Sequence, residues 1–313
     1  MRCRMDICAV IVTFNRLECL KKALKKYEEQ LKRPKYLLIV NNNSSDGTKE
    51  YLETWKQEPS EIQKIVLHLP SNTGGAGGFH AGMEKALELD CDWVWVSDDD
   101  AYPEPDAFEK LNLFEKNNPE LMKNTVALCS KVMDYEKKYI GLGHRVNEGR
   151  VLGVPCLPKK VKETEYKKSY FYFDHLSYVG SMIRKSALKE AGLVNGDFFI
   201  YSDDYEHSIR LGKVGKFICV TDSCVCHEGE SDEIPVLREA VWRDYYATRN
   251  ILLALKWHYG MPAFYFRAGC RIATAIKSGN WNKIRIFWAG IQDAKNDIVG
   301  IHSVYKPGWK EKT

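Results

Sequence analysis

Hydrophobic positions in the first hundred residues alternate between two periods. Ile7-Cys8-Ala9-Val10-Ile11-Val12-Thr13 is an uninterrupted apolar run, the pattern of a strand covered on both faces, and Leu17, Leu20, Ala23 and Leu24 then recur at helical spacing between Arg16 and Gln30. The pair repeats. Tyr36 to Val40 predicts a second strand, the Asn, Ser, Asp and Gly residues of 41–47 a turn, and Thr48 to Lys56 a second helix. Ile62 to His68 predicts a third strand. The glycine-rich stretch Asn72 to Gly78 leads into a helix through Leu89, and Asp92 to Val96 predicts a fourth strand. Such alternation implies an α/β fold with a mostly parallel, doubly wound sheet and with ligands at the carboxyl ends of its strands.

Later segments carry the pattern less evenly. Between Thr125 and Lys168 short strand-like pieces mix with glycines, and the lysines of 159–168 predict a solvated loop. From Val194 to His227 the α/β pattern returns as an aromatic strand, an acidic cluster, a helix from Tyr205 to Gly212 and a strand from Lys216 to Val220. Beyond Ala240 the sequence reads as helical, aromatic and basic. These shifts place an α/β domain at residues 1–235 and a helical extension at 236–313. Arg249 and Lys256 interrupt the most apolar stretch, Ile251 to Leu255, so no window has the length of a membrane span and any membrane contact would be peripheral.

Charge sharpens the division. The 313 residues carry 46 Lys and Arg against 42 Asp and Glu, a formal +4 that is too small for a polyelectrolyte glove around nucleic acid. Residues 256–313 hold ten of the cations against Asp293, Asp297 and Glu311, a local +7 that leaves −3 for residues 1–255. Trp257, Tyr259, Phe264, Tyr265, Phe266, Trp281, Phe287 and Trp288 are interleaved with those cations. That composition suits either a segment lying against anionic headgroups or a helical lid packed on the α/β domain. The ten cysteines follow no secretory leader and read as reduced thiols of a cytoplasmic protein.

Candidate chemistry lies at the strand ends. Asp98-Asp99-Asp100 directly follows a buried strand, and three adjacent carboxylates repel one another unless a proton or cation intervenes. A turn before Pro103 and Glu104 is the plain alternative, but the location favours Mg²⁺ or Mn²⁺ held together with substrate phosphates. Gly74 to Gly78 lack the lysine and hydroxyl of a Walker loop, since Phe79 and His80 stand there, and they fit a dinucleotide fingerprint poorly. They leave a weak signal for a sugar or diphosphate site. In the second acidic cluster, Asp203 with Glu206 reads as a capping box, which leaves Asp204 available as a general base. Cys224-Val225-Cys226-His227 lacks a second ligand pair for structural zinc, so His227 either caps a strand or joins the same hard metal.

Taken in order, Val10 to Arg16, Val40 to Thr48, Asn72 to Gly78, Asp98 to Asp100, Asp203 to Glu206 and His227 resemble family 2 glycosyltransferases of the GT-A fold over roughly residues 6–250. The glycine-rich string, the Asp triplet and Tyr245-Tyr246-Ala247-Thr248-Arg249-Asn250 look most like bacterial galactofuranosyltransferases and related rhamnosyltransferases. The resemblance implies a Rossmann-like, mostly parallel sheet flanked by helices, with Thr13, Asn15, Arg16, Asn41, Asn42, Asn72, Gly74, Gly75 and Asp99 around the nucleotide sugar. It implies Asp98, Asp100 and His227 as ligands of Mn²⁺ or Mg²⁺ and Asp204 as the catalytic base. The expected reaction is inverting transfer of a sugar, galactofuranose from UDP-galactofuranose or rhamnose from dTDP-rhamnose, to a hydroxyl of a cell-surface glycan or lipid-linked oligosaccharide. Such a protein would work in the cytoplasm or at the inner face of the cell membrane, without nucleic acid. One departure stands out, since the second strand of the family usually ends in an aspartate and here positions 41 and 42 are both asparagine. Readings from other classes are a nucleotide-dependent oxidoreductase, a nucleotidyltransferase and a noncatalytic sugar-binding protein.

Overall fold

In the computed structural model, which describes residues 5–136, 143–151, 154–155, 157–228, 241–277 and 279–309, the apolar runs assemble into one mixed sheet. Its strands are β1 (Ile7–Thr13), β2 (Tyr36–Asn41), β3 (Gln63–His68), β4 (Trp93–Asp98), β5 (Ala101–Pro103), β6 (Thr125–Asp134), β7 (Tyr170–Phe173), β8 (Ser181–Arg184) and β9 (Lys216–His227). The order is β7-β9-β6-β8-β4-β1-β2-β3, with β5 paired to the end of β9. Strands β3, β2, β1 and β4 are parallel, whereas β8 runs antiparallel between β4 and β6. The longer helices are α1 (Leu17–Glu28), α2 (Thr48–Trp55), α3 (Gly74–Glu88), α4 (Ala107–Asn117), α5 (Lys185–Ala191), α6 (Asp203–Val214), α7 (Arg243–Lys277) and α8 (Trp281–Lys295).

The strand pleat explains why β1 is apolar at every position from Ile7 to Val12. Cys8, Val10 and Val12 face one core with Phe79 and Met83 of α3, while Ile7, Ala9 and Ile11 face another with Leu20, Leu24 and Phe108 of α1 and α4. Each fully buried aliphatic side chain there contributes about 1.5–3 kcal/mol. Of the glycine string, Gly74 to Gly78, all five form the first turn and a half of α3 and are not a loop. Gly78 has a packing reason: a Cβ on it would stand 2.5 Å from Val12 Cγ1.

Three sequence expectations are revised. The strand expected to end at Val220 continues to His227, because a register shift between Val220 and Cys224 lets β9 bulge past the turn-like Asp222-Ser223 and resume pairing. Ser223 stays buried in that bulge, bonded to Ser130 (2.6 Å) and to the Ala107 carbonyl (3.0 Å). The aromatic segment at 198–202 is no strand: a 3₁₀ turn (Gly196–Phe198) leads into Phe199, Tyr201 and Ser202 at positive φ. Lys159–Lys160 form a short exposed strand paired with His144–Val146, and a 3₁₀ turn follows at Glu163–Lys167.

The C-terminal helices pack on each other and on α6. Helix α7 is broken at Gly260 (φ 81°), with Pro262 just beyond, the two residue types that end or kink a helix. Its first half is the apolar stretch of Ile251 to Leu255, buried against Phe198, Tyr205 and Ile209. The boundary expected at 235/236 lies outside the described residues. Among the described residues no helix is long and apolar enough to cross a membrane.

Candidate active site

The Asp triplet is built by backbone pairing around β4. β4 ends at Asp98, the chain turns through Asp99 and Asp100, and β5 then runs antiparallel to the last residues of β9, with His227 opposite Ala101. The Glu228 amide donates to the Asp100 carbonyl at 2.9 Å, fixing the two chain ends together. This pairing brings His227 to the triplet across more than 120 residues of sequence. Asp98, Asp100 and His227 each offer a ligand atom, and those atoms lie within 4.8 Å of one another. Cys226 is turned away by the pleat, and its thiol donates to Glu104 Oε1 at 3.3 Å.

Electrostatics divide the three aspartates. Burial raises Asp98 above the ordinary carboxylate range, and the neighbouring charges of Asp100 and Asp99 raise it further. Burial also lifts Asp99, to about 6, although Thr13 Oγ1 donates to its Oδ2 at 2.7 Å and Arg16 Nη1 lies 3.4 Å from its Oδ1. Asp100 goes the other way: burial opposes its ionisation, but His227 and then Arg16, whose Nη2 donates at 2.6 Å, bring it down to about 2. Asp100 Oδ1 is buried without a hydrogen bond, and His227 Nε2 stands 3.4 Å from it. A buried, unsatisfied carboxylate oxygen beside an imidazole and a second carboxylate is a donor set that fits a hard divalent cation. These residues could hold Mn²⁺ or Mg²⁺.

The other predicted residues surround this cluster at the carboxyl edge of the parallel strands. Thr13 ends β1 and Arg16 precedes α1, so both reach the triplet directly. Asn15, at φ 52°, turns instead toward the 41–47 turn, where its amide donates to Ser44 Oγ and its side chain accepts from the Ser45 amide at 2.7 Å. Asn41 accepts from the Ser44 amide (2.9 Å) and meets His68 Nδ1 (3.0 Å), whose other nitrogen meets Glu53 (2.8 Å). Asn42 ties β2 to the glycine string, donating to the Gly74 carbonyl at 2.8 Å and accepting from the Thr73 amide at 2.9 Å. Asn72 Oδ1 accepts from the Gly74 amide at 2.8 Å. Gly74 is held at φ +74° with its Cβ direction blocked by the Phe199 carbonyl, whereas Gly75 faces open space. Both asparagines of the departure at 41 and 42 therefore have structural partners at each end of the amide.

Asp203 and Asp204 open α6, but not as a capping box. Ser202 holds the N-cap position, and Glu206 turns away to accept from Arg210 Nε and Nη2, each at 2.8 Å, and to pair with His258 Nε2 at 2.8 Å. The helix starts one residue earlier than the box requires, with Asp203 already inside its first turn, and Glu206 is free to pair with α7. Burial, then the charge of Asp204, raises the Asp203 carboxyl, and Asp204 Oδ1 accepts from the Tyr205 amide at 2.7 Å. Asp203 is close enough to Asp98 for its charge to bear on it. The sequence marks Glu206 only as a helix cap and Asn250 only as part of a string, and leaves His68 unmarked, since the partners His258, Phe198 and Asn41 lie 52, 52 and 27 residues away.

A model of glycosyl transferase family 2 matches residues 8–192. The chain belongs to glycosyltransferase family 2. Among relatives of this family 2 enzyme, galactofuranosyltransferase GlfT1 of Mycolicibacterium smegmatis is 40% identical over 97 residues, 31% of this chain and 30% of that protein. GlfT1 of Mycobacterium tuberculosis is 27% identical over 236 residues, 74% of this chain and 73% of that protein. The family 2 chain has the GT-A fold of solved glycosyltransferases. S. aureus TarS 1-349 in complex with UDP-GlcNAc is 13% identical with a TM-score of 0.61, over 93% of this chain and 81% of that one. The mannosyltransferase PcManGT from Pyrobaculum calidifontis, in complex with GDP-Man and Mn²⁺, is 16% identical with a TM-score of 0.56, over 94% and 76%.

Proposed function

We propose that this glycosyltransferase moves galactofuranose from UDP-galactofuranose to a hydroxyl of a cell-surface glycan or lipid-linked oligosaccharide, with inversion at the anomeric carbon. The observation that carries the reading is the joining of Asp98, Asp100 and His227 in one cluster, with the Asp203-Asp204 pair opening a helix beside it. Mycobacterial GlfT1, a galactofuranosyltransferase, supports the choice of sugar. Thr13 and Arg16 hold Asp99 and Asp100 at the donor side, and Arg16 presents a guanidinium that can meet a phosphate oxygen. Asp98, Asp100 and His227 would hold Mn²⁺ or Mg²⁺, which when bound supplies charge neutralisation for a leaving diphosphate. Asp204 accepts the proton of the acceptor hydroxyl as its oxygen attacks the anomeric carbon opposite that diphosphate. No enzyme-linked sugar is needed for this single displacement.

The C-terminal helices supply a surface for the acceptor's setting. Phe264 and Phe287 are buried, as a lid would have them, but Tyr265, Phe266, Ile276 and Lys277 of α7 and Trp281, Arg285 and Trp288 of α8 are exposed. Exposed rings beside cations in the sequence of each helix suit peripheral contact with an anionic membrane carrying a lipid-linked acceptor. Flotation with anionic but not neutral liposomes is the expected result, and failure with both removes the membrane part of the reading.

A donor panel of UDP-galactofuranose, dTDP-rhamnose, UDP-GlcNAc and GDP-mannose, assayed for nucleotide release with Mn²⁺, tests the main proposal. Release from UDP-galactofuranose above the others is expected, and preference for dTDP-rhamnose would replace the donor. Asp204→Asn should leave UDP binding nearly unchanged while turnover falls by about 10²–10⁴-fold. Near-normal turnover would remove Asp204 from the role.

A further inference from the structure

The segment before Asp203 and Asp204 is held in an unfavourable shape. Phe199 (φ 65°), Tyr201 (φ 67°) and Ser202 (φ 61°) are all left-handed, a region that non-glycine residues enter only when their surroundings over-determine it. Those surroundings are two side chains of the C-terminal extension. Asn250 Nδ2 lies 2.9 Å from the Phe198 carbonyl and 2.8 Å from each of the Ile200 and Tyr201 carbonyls. Arg249 adds Nη2 contacts to the carbonyls of Phe198 (3.3 Å) and Asp197 (3.5 Å) and donates from Nη1 to that of Gly300 (2.6 Å). Its Nε donates to Asn250 Oδ1 at 2.9 Å, which fixes the amide so that its NH₂ points at the three carbonyls. Both side chains are fully buried.

The neighbouring tyrosines of the same string anchor the clamp from behind. Tyr245 donates to Asp293 of α8 at 2.5 Å, and the Tyr246 hydroxyl accepts from the His302 amide at 3.1 Å. On the opposite side, the Phe199 carbonyl receives the Ala76 amide of α3 at 3.1 Å. The strained turn is thus gripped between the glycine string and the C-terminal helices, and α6 begins where the grip ends. None of the hydrogen bonds of Arg249 or Asn250 reaches Thr13, Arg16 or the Asp triplet.

We infer that Arg249 and Asn250 are positioning residues that set the carboxylate of Asp204 against the acceptor, so that the C-terminal extension completes the transferase centre. The inference rests on the reading of Asp204 as the base. Asn250→Asp keeps the side-chain size but turns a carboxylate oxygen toward three carbonyls, so the turn must relax and Asp204 moves with it. A displacement of about 1 Å at a base costs on the order of 10²-fold in rate.

The test uses the full chain with Mn²⁺ and whichever nucleotide sugar of the donor panel gives turnover. Asn250→Asp is expected to lower kcat about 100-fold while UDP affinity, measured by calorimetry, stays within about twofold, and to displace the acid limb of the kcat profile. Arg249→Lys should fall between it and the wild type. Tyr201→Gly should restore part of the kcat of Asn250→Ala, because glycine adopts the left-handed angle without a clamp. Where Asn250→Asp does not fold, Arg249→Lys and the Tyr201→Gly/Asn250→Ala pair carry the test. The inference is overturned if folded variants keep kcat within about threefold of the wild type, or if kcat and UDP affinity fall together. Asp204→Asn run alongside separates the failures: if it stays active the base reading falls, and if it is inactive while the Asn250 variants turn over, only the clamp falls.

Discussion

Gly82 lies directly over Val10: a Cβ added to the glycine would stand 2.3 Å from Val10 Cγ1 and 3.0 Å from Val40 Cγ2. With Gly78 over Val12, this gives α3 two points of backbone contact with the same face of β1. Gly82→Ala must therefore push α3 off the sheet or twist Val10 from its rotamer, an overpacking cost of about 1–3 kcal/mol. The gain in helix propensity, at most about 1 kcal/mol, offsets part of it. Chemical denaturation should show a lower midpoint. Gly75→Ala provides the contrast, since its Cβ meets nothing within 4 Å, and it should be neutral or slightly stabilising. Equal midpoints for both variants would sink the close-packing explanation of the glycine string.

Glu206 binds two helices together. Its buried carboxylate accepts two bonds from Arg210 on its own helix and one from His258 on α7, so it fastens the helix of Asp204 to the C-terminal extension. Burial opposes its ionisation, but His258 and Arg210 outweigh that and hold it at about 2. Glu206→Gln removes the charge that both partners face. With both partners partly screened by solvent, the expected loss is about 1.5–3 kcal/mol, read as a fall in Tm. An unchanged Tm would mean that the cluster contributes only geometry.

What the sequence made legible follows from the range of the interactions involved. Strands β1, β2 and β4 announce themselves because both faces are buried, which leaves polar residues only at their carboxyl ends. Asp98 to Asp100 are readable because a strand end next to carboxylates is a local pattern. His227 was readable as a candidate ligand, yet the bulge that carries β9 to it was hidden, since Asp222 and Ser223 look like a turn until Ser130 and Ala107 are brought beside them. The turn at 198–202 was read as a strand because its aromatic residues are buried, while the amide that bends it sits about fifty residues on, at Asn250. Aromatic character in the C-terminal helices was plain, but which rings face inward was decided by the kink at Gly260 and by packing between α7 and α8.

Two interior histidines should make the fold sensitive to mild acid. His207 accepts from Tyr178 at 2.7 Å on Nδ1 and bonds the Gly192 carbonyl at 3.0 Å through Nε2, a neutral imidazole with both nitrogens satisfied. His144 is packed against Phe173, with ring centroids 4.6 Å apart. Burial lowers both to about 3, and for His207 the nearby Arg210 adds to the effect. The unfolded chain binds these protons from about pH 6.5 downward while the fold refuses them until near pH 3. Stability from each is thus fully present above pH 6.5 and declines by about 1.4 kcal/mol per pH unit below it. The raised carboxyls of Asp98, Asp99 and Asp203 act the opposite way, gaining stability as pH falls through the same range. The histidine effect is therefore read as the Tm of the protein relative to His144→Phe, a difference that should be level from pH 8 to 7 and fall steadily toward pH 5. A difference that stays level down to pH 5 would contradict the buried neutral state.

The Asp triplet offers a prediction that separates adjacent carboxylates. Asp98 and Asp100 share the cluster with His227, whereas Asp99 is turned to Thr13 and Arg16. Removing one ligand from a three-residue donor set should weaken Mn²⁺ binding at least about tenfold, or about 1.4 kcal/mol. Asp98→Ala, Asp100→Ala and His227→Ala are all expected to do so, as followed by the Mn²⁺ resonance signal during titration. Asp99→Asn should leave that titration nearly unchanged and instead weaken UDP binding, because it frees Thr13 and half of the Arg16 contact. Loss of Mn²⁺ affinity in Asp99→Asn equal to that in Asp100→Ala would show that the triplet binds as a diffuse acidic patch, and the assignment of His227 would fall with it.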